Sequence, residues 1–213
     1  MGWHILKGRK MAITDAIHRT AKTDEENVKD FYQTPYVLTE ILCQYMQKSY
    51  GKDTSILDPC AGKGAMTKVI KNYFPNTVAL DKFHVGDGII QKDFFDYEEQ
   101  VDIIIANPPY SQKNAFIDHA MRLAKHSFIL LPVGVDNYTL FNKDYRDSDH
   151  YRGKVMIYPK FIMDQELKDT GKVNVGGMSA YAWYHFTPNY GKNIKYEAIY
   201  DLRNYYNDIQ KYL

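Results

Sequence analysis

Cysteine is nearly missing from this chain: Cys43 and Cys60 are the two present in 213 residues. Their spacing fits no metal-binding pattern, so no metal is expected, and so sparing a use of thiols suits a reducing cytoplasm. Long apolar runs are also missing. No stretch approaches the roughly 20 residues that cross a bilayer, and Met1-Gly2-Trp3-His4-Ile5-Leu6-Lys7 lacks the apolar core of a secretory signal. A membrane is therefore not an expected partner. Charge of one sign is lacking too, with 27 Lys+Arg against 26 Asp+Glu. That balance excludes a surface coated in positive potential, so any contact with nucleic acid must come from a local patch and weaken with salt. Internal repeats and low-complexity linkers are not found.

What is present suffices for one α/β domain over residues 1–213, because 45% of the residues are hydrophobic and the length supports a real core. Tyrosine is abundant, at 19 residues. Such rings can stack on bases, but filling half-buried surface is their commoner use. The first 30 residues are polar and mixed, with Lys7, Arg9, Lys10, Arg19 and Lys22. They read as an arm with a helix over Met11 to Ala21, either packed on the domain or reaching toward a substrate.

Pro35 suits the first turn of a helix, with Thr34 as its cap. Val37, Leu38, Ile41, Leu42, Tyr45 and Met46 then recur at helical spacing. The free N–H groups at such a helix start can receive an anion. Ser55 to Asp58 is a short strand entering Pro59-Cys60-Ala61-Gly62-Lys63-Gly64, and a helix over Ala65 to Tyr73 follows. Strand, glycine turn and helix open a nucleotide-binding unit. The turn is not a P-loop, since Lys63 precedes Gly64, and it is not the full dinucleotide fingerprint. Thr77 to Asp81 reads as the second strand, and an acid at its end can accept from both hydroxyls of a ribose. Gly88 to Phe94 reads as the third strand and Val101 to Ala106 as the fourth. A helix over Asn114 to Lys125 leads to a fifth strand, Ser127 to Pro132. Val155 to Tyr158 and Ala180 to Phe186 are the sixth and seventh, followed by a polar, tyrosine-rich tail.

Asn107-Pro108-Pro109-Tyr110 closes the fourth strand. The prolines cannot extend a ladder, and Asn107 is pushed toward extended geometry by the proline after it. The outcome is a stiff turn at the carboxyl end of a central strand, where open α/β sheets place ligands. It offers two oxygens in a fixed pose, the Asn107 side-chain carbonyl and the Pro108 backbone carbonyl, with the Tyr110 ring beside them. Two acceptors and an aromatic face suit a planar group bearing an NH2.

This tetrapeptide resembles the catalytic motif of amino-methyltransferases, most nearly the enzymes that methylate the exocyclic N6 amine of adenine in DNA. Asp58-Pro59-Cys60-Ala61-Gly62-Lys63-Gly64 resembles their S-adenosylmethionine loop, and Phe31-Tyr32-Gln33-Thr34-Pro35 resembles the segment that holds the methionine carboxylate. The resemblance covers Phe31 to about Leu131. It implies a Rossmann-like class I methyltransferase fold, α/β, with a seven-stranded mixed sheet ending in an antiparallel edge hairpin. It implies S-adenosyl-L-methionine as cofactor, bound by Phe31, Thr34, Asp58, Cys60, Ala61, Gly62, Gly64, Asp81, Asp93, Phe94 and Asn107. Within that set, Asp93 takes the cofactor's adenine amine and Phe94 flanks its ring. Catalysis falls to Asn107, Pro108, Pro109 and Tyr110, with Tyr110 and Phe116 bordering the target, although Phe116 also reads as core. The expected partner is nucleic acid, DNA first. Methylation of RNA adenine or protein glutamine, and an inactive binding module on the same fold, are the alternatives. The polar segments Asn137 to Arg152 and Asp164 to Gly177, within residues 137–177, are the stretches long enough to read a target.

Overall fold

The computed structural model describes residues 33–83, 86–135, 145, 149–158, 180–188 and 196–212. Contacts divide the chain into Met1–Phe31 and Tyr32–Leu213, and the described residues belong to the second unit. The N-terminal arm, Phe31 and most of the two target-reading segments lie outside the described residues.

Among the described residues, three α-helices are built on apolar faces: α1 (Tyr36–Met46), α2 (Ala65–Tyr73) and α3 (Lys113–Leu123). Eight strands form one sheet: β1 (Ile56–Asp58), β2 (Thr77–Asp81), β3 (Ile90–Gln91), β4 (Val101–Ala106), β5 (Ala124–Pro132), β6 (Tyr151–Tyr158), β7 (Tyr181–Phe186) and β8 (Tyr196–Asp201). Their order is β3-β2-β1-β4-β5-β7-β6-β8. The first five run parallel, and β7 is antiparallel to both β5 and β6.

The apolar run of β4 is explained by cover on both faces. Ile103 and Ile105 pack with α1 and α2 residues such as Leu38, Ile41 and Val69. Ile104 and Ala106 pack on the other side with Phe116, Ile117 and Ala120 of α3. β7 is buried along its whole length for the same reason. Its Trp183 is fully buried, and the indole N–H donates to the Leu38 carbonyl at 3.0 Å, which fastens α1 to the sheet.

Several expectations need correction: the third strand pairs only at Ile90–Gln91, and the helix expected over Asn114 to Lys125 ends at Leu123, with Ala124 opening β5. The sheet has eight strands and not seven, because Tyr196–Asp201 joins the edge parallel to β6. Tyr196, Ala198 and Tyr200 face the core while Glu197 and Ile199 are exposed, an alternation of period two inside the tyrosine-rich tail. The helix start is also one residue later than expected. Pro35 itself occupies the capping position, and no side chain caps the helix, so Thr34 is not its cap.

The added strand depends on Gly153. The β6–β7 register shifts between Tyr151 and Gly153, and Gly153 has φ +152°. An added Cβ would run into the Tyr196 backbone oxygen and stand 2.9 Å from the Tyr196 nitrogen. A backbone neighbour cannot rotate away as a side-chain tip can. Gly153→Ala should therefore push β8 off the sheet and cost about 3 kcal/mol. Urea unfolding measures this; a loss below about 0.5 kcal/mol would show that β8 is dispensable.

Candidate active site

Every parallel strand points its carboxyl end at one rim, where Asp58 and Asp81 end their strands and Asn107 follows β4. β1 ends in Asp58, which is fully buried. Its Oδ2 accepts from the Thr67 hydroxyl on α2 at 2.7 Å, while Oδ1 has no partner among the described residues. Burial pushes the carboxyl up from 3.8 to about 7, against the opposing effect of the Thr67 hydroxyl and the Cys60 backbone N–H. Nearby Asp81 adds a smaller push in the same direction as burial. A buried carboxyl with an open lone pair is set to receive a donor or a cation.

The turn into α2 needs its glycines. Gly62 has φ 57° and Gly64 has φ 83°, both in the left-handed region where a side chain is strained. A Cβ on Gly64 would stand 3.4 Å from Ile89 Cδ1, so a side chain there would lie against Ile89. The turn is anchored to β2 through the Ala61 N–H, which donates to the Leu80 carbonyl at 2.8 Å.

Asp81 closes β2 and holds the turn directly. Its Oδ2 accepts from the Gly62 N–H at 2.8 Å and its Oδ1 from the Phe83 N–H at 2.9 Å. A carboxylate has about four acceptor positions. Asp93 follows β3, accepts from the Phe95 N–H at 3.0 Å and lies 3.3 Å from Lys82 Nζ. Phe94 is buried, its ring centroid 5.0 Å from that of Phe116 and 4.6 Å from that of His119. Phe94 and Phe116 together thus form one apolar wall under the rim.

Asn107 is fixed at two points. Its backbone carbonyl accepts from the Cys60 thiol at 3.3 Å, which joins the proline turn to the glycine turn. Burial raises the Cys60 thiol well above its ordinary value, so it stays a neutral donor. The Asn107 Nδ2 donates to the Thr34 hydroxyl at 3.0 Å, across 73 positions of chain. Asn107 Oδ1 and the Pro108 carbonyl have no hydrogen-bond partner among the described residues, and both are acceptors. Pro109 ends the extended segment, its carbonyl accepting from the Gln112 N–H at 2.9 Å. Tyr110 is 37% exposed.

Sequence reasoning missed Tyr181. Its ring centroid lies 6.3 Å from that of Tyr110. Because β7 runs antiparallel and Tyr181 pairs with Pro132 at the end of β5, the first residue of β7 arrives at the rim. The available signal was its place at the start of a strand expected to reverse direction. Thr34, Cys60 and Asn107 are brought into contact, as are Gly62 and Asp81. Asp93 is tied to this group through Lys82, the neighbour of Asp81 in sequence, and through its own neighbour Lys92, whose N–H donates to the Asp81 carbonyl at 3.0 Å.

No family model matches the chain, and no curated protein matches it. Solved structures do share its fold. A candidate RNA methyltransferase from Pyrococcus horikoshii aligns with a TM-score of 0.57 at 13% identity, over 76% of this chain and 88% of that one. An S-adenosylmethionine-dependent O-methyltransferase from Thermotoga maritima aligns at 0.52 and 13% identity, over 76% and 69%. The modification subunit of a candidate type I restriction enzyme from Vibrio vulnificus aligns at 0.54 and 9% identity, over 85% of this chain and 52% of that one. This chain therefore spans about half of that subunit. The shared architecture is the Rossmann-like class I methyltransferase fold, and in this chain β8 lies at the edge of the sheet.

Proposed function

We propose that this chain transfers a methyl group from S-adenosyl-L-methionine to the exocyclic N6 amine of adenine in DNA. The observation that carries the reading is the Cys60–Asn107 contact, which puts the glycine turn and the pair of open carbonyl acceptors on one rim.

The residues fit the cofactor. The unpartnered Asp58 Oδ1 would receive its ammonium end, the turn carrying Gly62 and Gly64 its methionine part, and Asp81 its ribose hydroxyls. Asp93 and the wall containing Phe94 would hold its adenine. When bound, it supplies an electrophilic methyl on a sulfonium. The chain's own residues do the rest. An exocyclic amine is a poor nucleophile because its lone pair is delocalised into the ring. Asn107 Oδ1 and the Pro108 carbonyl, drawing on its two hydrogens, favour a pyramidal nitrogen and stabilise the positive charge that develops there. No dedicated base is required, since the methylated ammonium can lose its proton to water. A base in a duplex would have to be flipped out, at about a few kcal/mol, and Tyr110 offers the face on which it stacks.

Protonation of Asp58 gives this reading a pH signature. Below about 7 the carboxyl is largely neutral and must ionise to hold a cation. Affinity for S-adenosylhomocysteine should thus fall as pH drops through about 7, by up to roughly tenfold per unit, and level off above it. Calorimetry from pH 6 to 8 measures this, and Asp58→Asn should bind weakly with a flat profile. An unchanged slope in the variant would remove Asp58 from the site.

The decisive experiment is transfer of tritiated methyl onto unmethylated DNA, RNA and protein extract. Label in DNA, recovered as N6-methyladenine after digestion, is the expected result. Label in RNA or on glutamine would keep the chemistry and change the substrate, because those amines also present two hydrogens to two acceptors. No label in any fraction, with cofactor bound, would leave a binding module.

A further inference from the structure

We propose that Thr34 is a positioning residue that turns the Asn107 carboxamide so that its oxygen, and not its nitrogen, faces the amine to be methylated; this rests on the methyl-transfer reading above. An asparagine side chain has two ends of similar shape and opposite hydrogen-bonding sense. Only the oxygen can draw on an amine hydrogen, and a carboxamide flipped by 180° would present two hydrogens to the amine and repel it. Something must therefore distinguish the two ends.

The distinguishing contact is the 3.0 Å hydrogen bond from Asn107 Nδ2 to Thr34 Oγ1. Thr34 is itself 5% exposed, and among the described residues its hydroxyl has no other partner. Water is thus largely kept from competing for the contact. The Thr34 backbone is restricted because Pro35 follows it, with φ near −56°, and α1 starts immediately afterwards. Cys60 secures the same residue from the other side through the Asn107 backbone carbonyl. With backbone and Nδ2 both engaged, Oδ1 is the end left open. A free hydroxyl could also donate. It is committed as an acceptor once its own hydrogen is drawn to an anion at the uncapped start of α1, where backbone N–H groups already favour negative charge.

Thr34→Val keeps the shape and removes the hydroxyl; Thr34→Ser keeps the hydroxyl. In methyl transfer, Thr34→Val should lower kcat about 10- to 100-fold, the scale expected when a reacting group is misplaced. Thr34→Ser should stay within about threefold of the wild type. On the Asn107→Ala background, Thr34→Val should have no further effect on kcat, since the group it positions is gone. A second readout needs no turnover. The side-chain 15N–1H2 signal of Asn107, assigned by its absence in Asn107→Ala, should shift and exchange faster with water in Thr34→Val but not in Thr34→Ser. An unmoved amide signal, a Ser variant as impaired as the Val variant, or additive effects in the double variant would each overturn the proposal. Failure of the methyl-transfer reading looks different: no wild-type transfer to any amine, with the amide signal still responding to Val. That result would remove the catalytic role together with the reading.

Discussion

Asn107→Ala should reduce methyl transfer by about 10²- to 10³-fold or more while leaving cofactor affinity within a few-fold of the wild type. The size follows from what removal of one aimed hydrogen-bonding group costs at a reacting centre, about 2.7–4 kcal/mol in the barrier. The selectivity follows from geometry. Asn107 touches the glycine turn through its backbone carbonyl, which alanine retains, so the Cys60 contact survives the change. Only Oδ1 and the Nδ2 bond to Thr34 are lost. Binding of S-adenosylhomocysteine by calorimetry, set beside single-turnover rates, separates the two effects. Loss of binding with an intact rate at saturation would reverse the assignment of roles. Tyr110→Ala should likewise lose transfer and retain binding, since its ring lies beside Tyr181 and no hydrogen bond joins it to Gly62 or Gly64 among the described residues.

The largest effect on stability is expected at Glu40→Ala, about 3–5 kcal/mol. Glu40 lies in α1 and is fully buried. Its Oε1 accepts from the Tyr73 hydroxyl and from Gln44 Nε2 at 3.0 Å, and lies 3.5 Å from Lys211 Nζ. Its Oε2 accepts from the Tyr212 hydroxyl at 2.8 Å. One carboxylate thus ties α1 to α2 and to the C-terminal turn Gln210–Tyr212, which Lys68 also holds through the Tyr212 carbonyl at 2.5 Å. Alanine would leave the two tyrosine hydroxyls without their acceptor and open a cavity beneath them. Against a total of about 5–15 kcal/mol for a domain, that loss is a large share. In urea, the midpoint should fall with little change in slope. Joint replacement, Glu40→Met with Tyr73→Phe and Tyr212→Phe, should recover much of the loss, because an apolar cluster has no unmet polar group. A single-variant loss below about 1 kcal/mol would show that the cluster is not what holds the C-terminal turn in place.

The parts of the fold legible in the sequence are those where burial on both faces leaves a continuous apolar run. β4 and β2 have the expected bounds, and α2 follows the glycine turn as its periodicity requires. The third strand was harder. Gly88 to Phe94 reads as seven extended residues, yet only Ile90–Gln91 pair with β2, and Ile90 is 55% exposed at the sheet edge. An edge strand has one neighbour and little burial to extend it. β8 was hidden in a tail whose polar residues and tyrosines concealed a period of two.

For the site, chain order was informative because each parallel strand delivers its last residue to one rim, so Asp58, Asp81 and Asn107 could be placed together without coordinates. The contacts that couple them could not. The Thr34–Asn107 bond joins residues 73 positions apart, and the approach of Tyr181 to Tyr110 depends on the reversal of β7. Neither leaves a local pattern in the chain.

Whether donor and acceptor share a single cavity is tested most directly by a crystal soaked with S-adenosyl-L-methionine. The donor should lie along Gly62 and Gly64, with Asp58 and Asp81 against its polar groups and its methyl directed at the space in front of Asn107 Oδ1 and the Pro108 carbonyl. A glycine turn that stays empty at saturating donor, or a methyl facing a cavity separate from Asn107, would contradict it.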